Sequence, residues 1–226
     1  MSKIVLFGTG RGADVAYRFL TADTDHEIVG FAVDDAHRTS SELRGLPVVS
    51  FEEVERHYPP DEVRMFILLG YQGMNALRRD KFNAAKAKGY TLESYVASGI
   101  FQAEPIRRGE NCFILDNQSI SLDVEIGDNV VMWSSNHVGD LTVVESHAWI
   151  SSHVTIAASV RVGEGAFLGI GATVSNNVVI GKASFVGAHV FVSGDVQPDT
   201  VMLSGKDAEG IGARQFMRMM IAGGKL

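Results

Sequence analysis

The sequence predicts an α/β domain followed by a parallel β-helix, and three observations predict it. Aliphatic residues recur every sixth position from Ile114 through Ile120, Ile126, Met132 and onward to Val192, with Pro198 closing the series. Four residues after each one the side chain is nearly always small or β-branched, as in Val124, Val130, Thr142, Ala148, Val154, Ala166, Ala172 and Val178. Ahead of the repeat, short apolar runs alternate with amphipathic stretches. A helix has no period of six. In a triangular coil each hexad is one flat side, and stacked coils bury the aliphatic column. Fifteen hexads make about five coils, each rising ~4.8 Å.

The first domain reads element by element. Ile4–Phe7 is a buried parallel strand ending in Gly8-Thr-Gly10-Arg-Gly12-Ala13, and Val15, Phe19 and Leu20 mark one face of the helix that follows. Ile28–Val33 is a second strand, closed by Asp34-Asp35. Val48-Val49 is a short strand, and Ser50 is the expected N-cap of a short helix from Phe51. Met65–Leu69 is another buried strand, and Met74–Lys88 an amphipathic helix stopped by Gly89. Strands alternating with helices predict a doubly wound fold. Residues 98–113 read as an irregular junction, and the tail has apolar positions at Ile211, Phe216, Met219 and Met220 that suit a short helix.

Composition narrows the class. The chain has 226 residues, 46% hydrophobic residues and a net charge of −7. That charge argues against nucleic acid or an anionic membrane as partner. A single cysteine, Cys112, excludes a disulfide framework and suits a reducing compartment. No apolar run approaches the ~20 residues of a membrane span. The expected location is the cytoplasm.

The loop Gly8-Thr-Gly10-Arg-Gly12 lies between a strand and a helix, where glycines let the backbone approach phosphate and the helix N-terminus favours an anion. Asp34 or Asp35 would hold a ribose hydroxyl or base edge. The third motif glycine is replaced by Ala13 and the domain is short, so a mononucleotide fits better than NAD, and a plain tight turn is the competing reading. Arg11 is placed to reach a phosphate.

Four histidines lie in the repeat: His137, His147, His153 and His189. Inward positions are aliphatic or small, so all four belong on the outer surface or at corners. His137 stands apart because Asp140 lies close in sequence, and an imidazole near a carboxylate can accept a proton while the carboxylate steadies the imidazolium.

The whole chain resembles the sialic acid O-acetyltransferase family of sugar acyltransferases, which includes the bacillosamine N-acetyltransferases. The resemblance rests on the loop Gly8–Gly12, the pair Asp34-Asp35, the stretch Gly70-Tyr-Gln-Gly-Met-Asn75, the Asn136-His-Val-Gly segment and the hexads. It implies a Rossmann-like nucleotide-sugar-binding domain over 1–97, a left-handed β-helix acyltransferase domain over 98–205 and a tail over 206–226. It also implies a homotrimer, with Trp133, Trp149, Phe167 and Phe185 as outward apolar residues for the interface. The nucleotide-linked sugar would meet Gly8, Gly10, Arg11, Gly12, Asp34, Asp35 and Asn136. Acetyl-CoA would lie between neighbouring coils near His153, Gly169, Gly171 and Gly194, with Lys206 and Arg214 toward its phosphates.

The sequence departs from the family at the chemistry. Related enzymes tend to read His-Ile-Ala/Gly-His and use the second histidine as base; here the first is His137 and Asp140 replaces the second. The glycine whose amide meets the thioester oxygen, one coil on, is Ala158. The usual ending after the last coil is replaced by Gly205-Lys-Asp-Ala-Glu-Gly. Three readings stay open: His137 is the base, Asp140 is the base, or an amine acceptor needs none. The expected activity is acyl transfer, with acetyl the expected group, from acyl-CoA to nitrogen or oxygen of a nucleotide-linked sugar, with no metal. The rivals are a non-catalytic trimer that binds a nucleotide or sugar and, more distantly, a β-helical carbonic anhydrase.

Overall fold

The computed structural model describes residues 1–204 together with 211, 212, 215 and 218. Contacts divide the chain into one unit of Met1–Gly70 with Arg78–Tyr95 and a second of Tyr71–Leu77 with Val96–Leu226.

In the first unit β1 (Lys3–Phe7) leads into α1 (Arg11–Asp23), then β2 (Glu27–Val33), β3 (Glu42–Leu43), β4 (Leu46–Ser50), α2 (Val54–His57) and β5 (Arg64–Ile67); α3 (Ala76–Ala87) follows. The sheet order is β3-β4-β2-β1-β5. β1 runs parallel to β2 and β5, and β2 parallel to β4. The chain therefore steps away from β1 through β2 to β4, and β5 returns on the other side. This reversal leaves a crevice at the carboxyl end of β1, where Gly8 sits; such crevices are where open α/β sheets take ligands. The core is Ile4, Val5, Leu6, Phe31, Met65 and Phe66, all fully buried.

Several local details differ from the sequence reading. α1 buries Ala13, Ala16 and Leu20, a 3.6-period stripe, while Val15 and Phe19 are only half-buried. β3 and β4 form an antiparallel hairpin over Arg44-Gly45, both at positive φ, which the hydropathy pattern does not reveal. Ser50 ends β4 and bonds to Glu52; α2 begins only at Val54. α3 starts two residues later than expected, because Gly73, Met74 and Asn75 all adopt positive φ.

The second unit is the coil. Its stacked parallel sheets fit the left-handed β-helix that the resemblance implies. One face stacks Ser119, His137, Thr155, Thr173 and Phe191 in register. A second stacks Glu125, Val143, Arg161 and Val179. A third stacks Phe113, Val131, Trp149, Phe167 and Phe185. The aliphatic column and the small residues four positions on form one continuous core, from Ile114 and Ile120 to Val186 and Val192. The coil begins earlier than the aliphatic repeat. Strands Phe101–Gln102 and Arg107–Arg108 already pair with Ser119–Ile120 and Glu125–Ile126, so part of the expected junction is a first coil.

Each corner turns through a residue in the left-handed region, three positions before the aliphatic residue, among them Asn117, Asp123, Asn129, His147, His153 and His189. Asparagine, aspartate and histidine tolerate that conformation better than most residues. The third face is covered within its own unit. Tyr71 lies with its ring centroid 5.3 Å from Trp149 and 4.8 Å from Phe167, and both of those rings are 7% exposed. Trp149 and Phe167 are therefore not free for the subunit contact expected of them. Phe101 and Phe191, on the His137 face, are 65% and 63% exposed instead. Among the described residues no helix is long and apolar enough to cross a membrane.

Candidate functional site

In the first unit, the loop after β1 is shaped by two glycines with different tasks. Gly8 has φ +97° and donates its N–H to Ala32 O at 2.7 Å, which ties the loop to β2. A Cβ on Gly12 would stand 2.0 Å from Leu68 O, so Gly12 is required for α1 to approach the end of β5. Gly10, the N-cap of α1, has nothing within 4 Å of an added Cβ. It is the glycine that faces open space. Arg11 opens α1 and is exposed.

The acidic pair is not free. Asp34 is ion-paired with Lys81 of α3. The Lys81 ammonium also lies 5.4 Å from the Phe7 ring centroid and 5.2 Å from that of Phe51. Asp35 is exposed, with Arg38 Nε 3.6 Å from its carboxylate, and its N–H donates to Glu52 Oε2 at 3.1 Å. Glu52 is held below the usual carboxylate range, chiefly by the Ser50 hydroxyl. Sequence reasoning missed Lys81. A single lysine on a helix carries no signal until the sheet order brings α3 beside the end of β2.

In the second unit, His137 begins the strand His137–Val138 and is exposed. Its neighbours along the face are Ser119 and Thr155. Among the described residues its ring has no hydrogen bond or ion pair. Asp140 lies at the corner that follows, between exposed Leu122 and Leu141. Its carboxylate accepts the Leu122 N–H at 3.0 Å, one coil down. The Ser121 hydroxyl, then that N–H, hold Asp140 below its ordinary pKa against partial desolvation, and the charge of His137 adds to the effect. The two residues sense each other electrostatically without direct contact. Asp140 is thus an ionised cap, which makes it a poor proton acceptor at neutral pH.

Three expected contacts are corrected by the geometry. Asn136 is 2% exposed and points into the coil. Its Oδ1 accepts the Val154 N–H at 2.8 Å and its Nδ2 donates to Trp133 O, so its amide holds the corner rather than a substrate. The Ala158 N–H, expected to meet a thioester oxygen, already donates to Asn176 Oδ1 at 3.0 Å. At Gly171 the His189 ring fills the space, 2.5 Å from where a Cβ would be, and φ is +67°.

The remaining coil residues divide by exposure. Gly169 is buried; a Cβ there would stand 2.6 Å from the Ala188 nitrogen. His153 is an exposed corner residue whose N–H donates to Ser134 O at 3.2 Å. His147 belongs to a polar ladder: Asn111 Nδ2 donates to Asn129 Oδ1 at 2.8 Å, and Asn129 Nδ2 meets His147 Nδ1 at 2.9 Å. An amide nitrogen only donates, so His147 Nδ1 is the acceptor there. Gly194 is exposed and has nothing within 4 Å. Lys206 and Arg214 lie outside the described residues.

The architecture can be compared with solved structures. A point mutant of the perosamine N-acetyltransferase of Caulobacter crescentus, in complex with CoA and GDP-perosamine, matches with TM-score 0.78 and 24% identity, over 94% of this chain and 98% of that one. The acetyltransferase domain of PglB from Neisseria gonorrhoeae, in complex with acetyl coenzyme A, matches with TM-score 0.74 and 18% identity, over 92% and 98%. WeeI from Acinetobacter baumannii matches with TM-score 0.77 and 15% identity, over 93% and 100%. These likenesses establish the fold. No protein-family profile and no curated protein sequence matches the chain. The likenesses cover more than nine-tenths of the chain, and its stacked parallel strands fit the β-helix read from the hexads.

Proposed function

We propose that this protein is an acyltransferase that moves an acetyl group from acetyl-CoA to the amino group of a nucleotide-linked sugar. The observation that carries the reading is exposed His137, set on a coil face among hydroxyl side chains beside an ionised carboxylate. The neighbours solved with CoA, acetyl-CoA or GDP-perosamine support the choice of substrates.

In the proposed reaction the amine lone pair attacks the thioester carbon. A C–N bond forms and the carbonyl π pair moves onto oxygen. The intermediate collapses, the C–S bond breaks, and sulfur leaves with the pair as CoA thiolate. His137 accepts the proton released from the substituted ammonium and passes it to solvent or the thiolate. Asp140 stays ionised and favours the imidazolium. The crevice at Gly8, Gly10 and Arg11 takes the phosphates, with Asp34, Asp35 and Lys81 at its edge. Most of the rate enhancement is assigned to holding amine and thioester together.

Homotrimeric assembly in the cytoplasm belongs to the same reading. Exposed Phe101 and Phe191 on the His137 face, with Leu122 and Leu141 beside Asp140, support a neighbouring coil closing over this face. Light scattering would test it, and a monomer at micromolar concentration would end the shared-cleft idea. For the activity, the protein is incubated with acetyl-CoA and a panel of UDP-, GDP- and dTDP-linked amino sugars while thiol release is followed. Acceptor-dependent thiol release is expected, and its absence across the panel would refute the reading.

A further inference from the structure

We infer that the side-chain amide of Asn176, rather than the backbone N–H of Ala158, supplies the hydrogen bond to the developing oxyanion. The inference rests on the acyltransferase reading above.

Asp140, Ala158 and Asn176 form one corner column, each eighteen residues from the next. Successive members of the column are one coil apart, ~4.8 Å. A recurrent device operates at such corners: a side chain of one coil accepts the backbone N–H of the coil before it. Asp128 caps Glu110 at 2.7 Å, Ser146 caps Asp128 at 3.0 Å and Asp140 caps Leu122 at 3.0 Å. Asn176 caps Ala158 at 3.0 Å.

Asn176 differs from the other caps in what it has left over. The Ala158 N–H can only donate, so the atom facing it must be the amide oxygen. The cap therefore leaves the Asn176 NH₂ unused. Asn176 is exposed, and among the described residues its Nδ2 has no partner. The backbone donor at this level is spent on Asn176, and the amide that spends it carries a donor of its own. A neutral amide donor held from behind suits oxyanion stabilisation, because it needs no reorganisation as charge develops. In the step above, the π pair that moves to oxygen is met by an Nδ2–H, while the C–N bond forms and the C–S bond is still intact.

The column itself supplies the test. Asp140 occupies the same corner column and caps in the same way, so Asn176→Asp keeps the acceptor for Ala158 and folds, while it removes the donor and adds a negative charge. Asn176→Ala removes the donor and releases the Ala158 N–H to take its place. Wild type and both variants are assayed for acceptor-dependent thiol release, with acetyl-CoA affinity measured by calorimetry. The expected result is a 10²–10³-fold loss of kcat in Asn176→Asp, the usual loss for one oxyanion donor, with acetyl-CoA affinity retained. Asn176→Ala is expected to lose less than Asn176→Asp. Near wild-type kcat in Asn176→Asp, or a loss carried by acetyl-CoA affinity alone, would overturn the assignment. So would a kcat above wild type in Asn176→Ala, which would make Asn176 an obstruction. A wild type that releases no thiol refutes the acyltransferase reading and the Asn176 assignment falls with it; an active wild type with indifferent variants refutes only the latter.

Discussion

The carboxylate of Asp140 accepts the backbone N–H of Leu122 across 3.0 Å, from one coil to the one before it. That bond, with the Ser121 hydroxyl, keeps Asp140 ionised below its usual range. A carboxyl lowered in the folded state contributes stability that is fully present above its unfolded pKa. The contribution is lost as pH falls through the lowered folded pKa. Carbon-detected NMR titration should therefore place Asp140 below the ordinary aspartate value, and Ser121→Ala should move it back up. A titration unaffected by Ser121→Ala would remove the hydroxyl from this account.

Replacing His137 by asparagine should lower kcat by about 10²–10⁴-fold, the range of general-base help. KM should change little, as for an interaction made mainly in the transition state. The pH–rate profile should lose one limb. A His137→Asn enzyme close to wild type would instead favour direct attack by a free amine, with the loss under tenfold.

The loop glycines should separate cleanly. Gly10→Val meets no protein atom within 4 Å of its Cβ, so the variant should fold, raise the acceptor's KM and leave acetyl-CoA affinity alone. Gly12→Val places its Cβ 2.0 Å from Leu68 O and should destabilise the fold, by at least the ~1–3 kcal/mol typical of overpacking. Thermal melts and acceptor kinetics measured side by side distinguish the two; unchanged kinetics in folded Gly10→Val would leave the loop a simple turn.

Asn136→Ala should behave as a structural lesion. The buried Val154 N–H loses its partner, while Trp133 O keeps the Gln118 side-chain amide at 2.7 Å. One unsatisfied buried group costs about 1–3 kcal/mol. Unfolding should shift to lower denaturant while the acceptor's KM holds. A rise in that KM without loss of stability would return Asn136 to the substrate.

The β-helix was legible because its inward column admits only aliphatic side chains, so Ile114, Ile120 and Ile126 announce the period directly. The first coil escaped notice because Gln102 and Arg108 occupy that period as exposed, polar residues at the open end. The corner column was written in the sequence, but in a different property. Asn117, Asp123, Asn129, His153 and His189 share tolerance of positive φ, which hydropathy does not register. His147, His153 and His189, read from the sequence as surface or corner residues, adopt that positive φ. His137 stood apart in the sequence because Asp140 is close by, and in the structure it falls in a strand position. The phase within the hexad decides which asparagine points in: Asn136 falls four residues after Met132, at the inward small position, and is buried, whereas Asn176 falls two after Val174 and is exposed. Lys81 depended on sheet order, which no local pattern encodes.

The eighteen-residue register also limits how such a chain can vary. An insertion of one residue would turn every later side chain out of its column, breaking core, corners and caps together. An insertion of one whole coil would leave each column intact and only lengthen the stack. The span between the level of His137 and the last coil is therefore adjustable only in discrete steps of ~4.8 Å. Changes in the length of what the coil accommodates should come as whole turns, with the corner at Asp140 untouched.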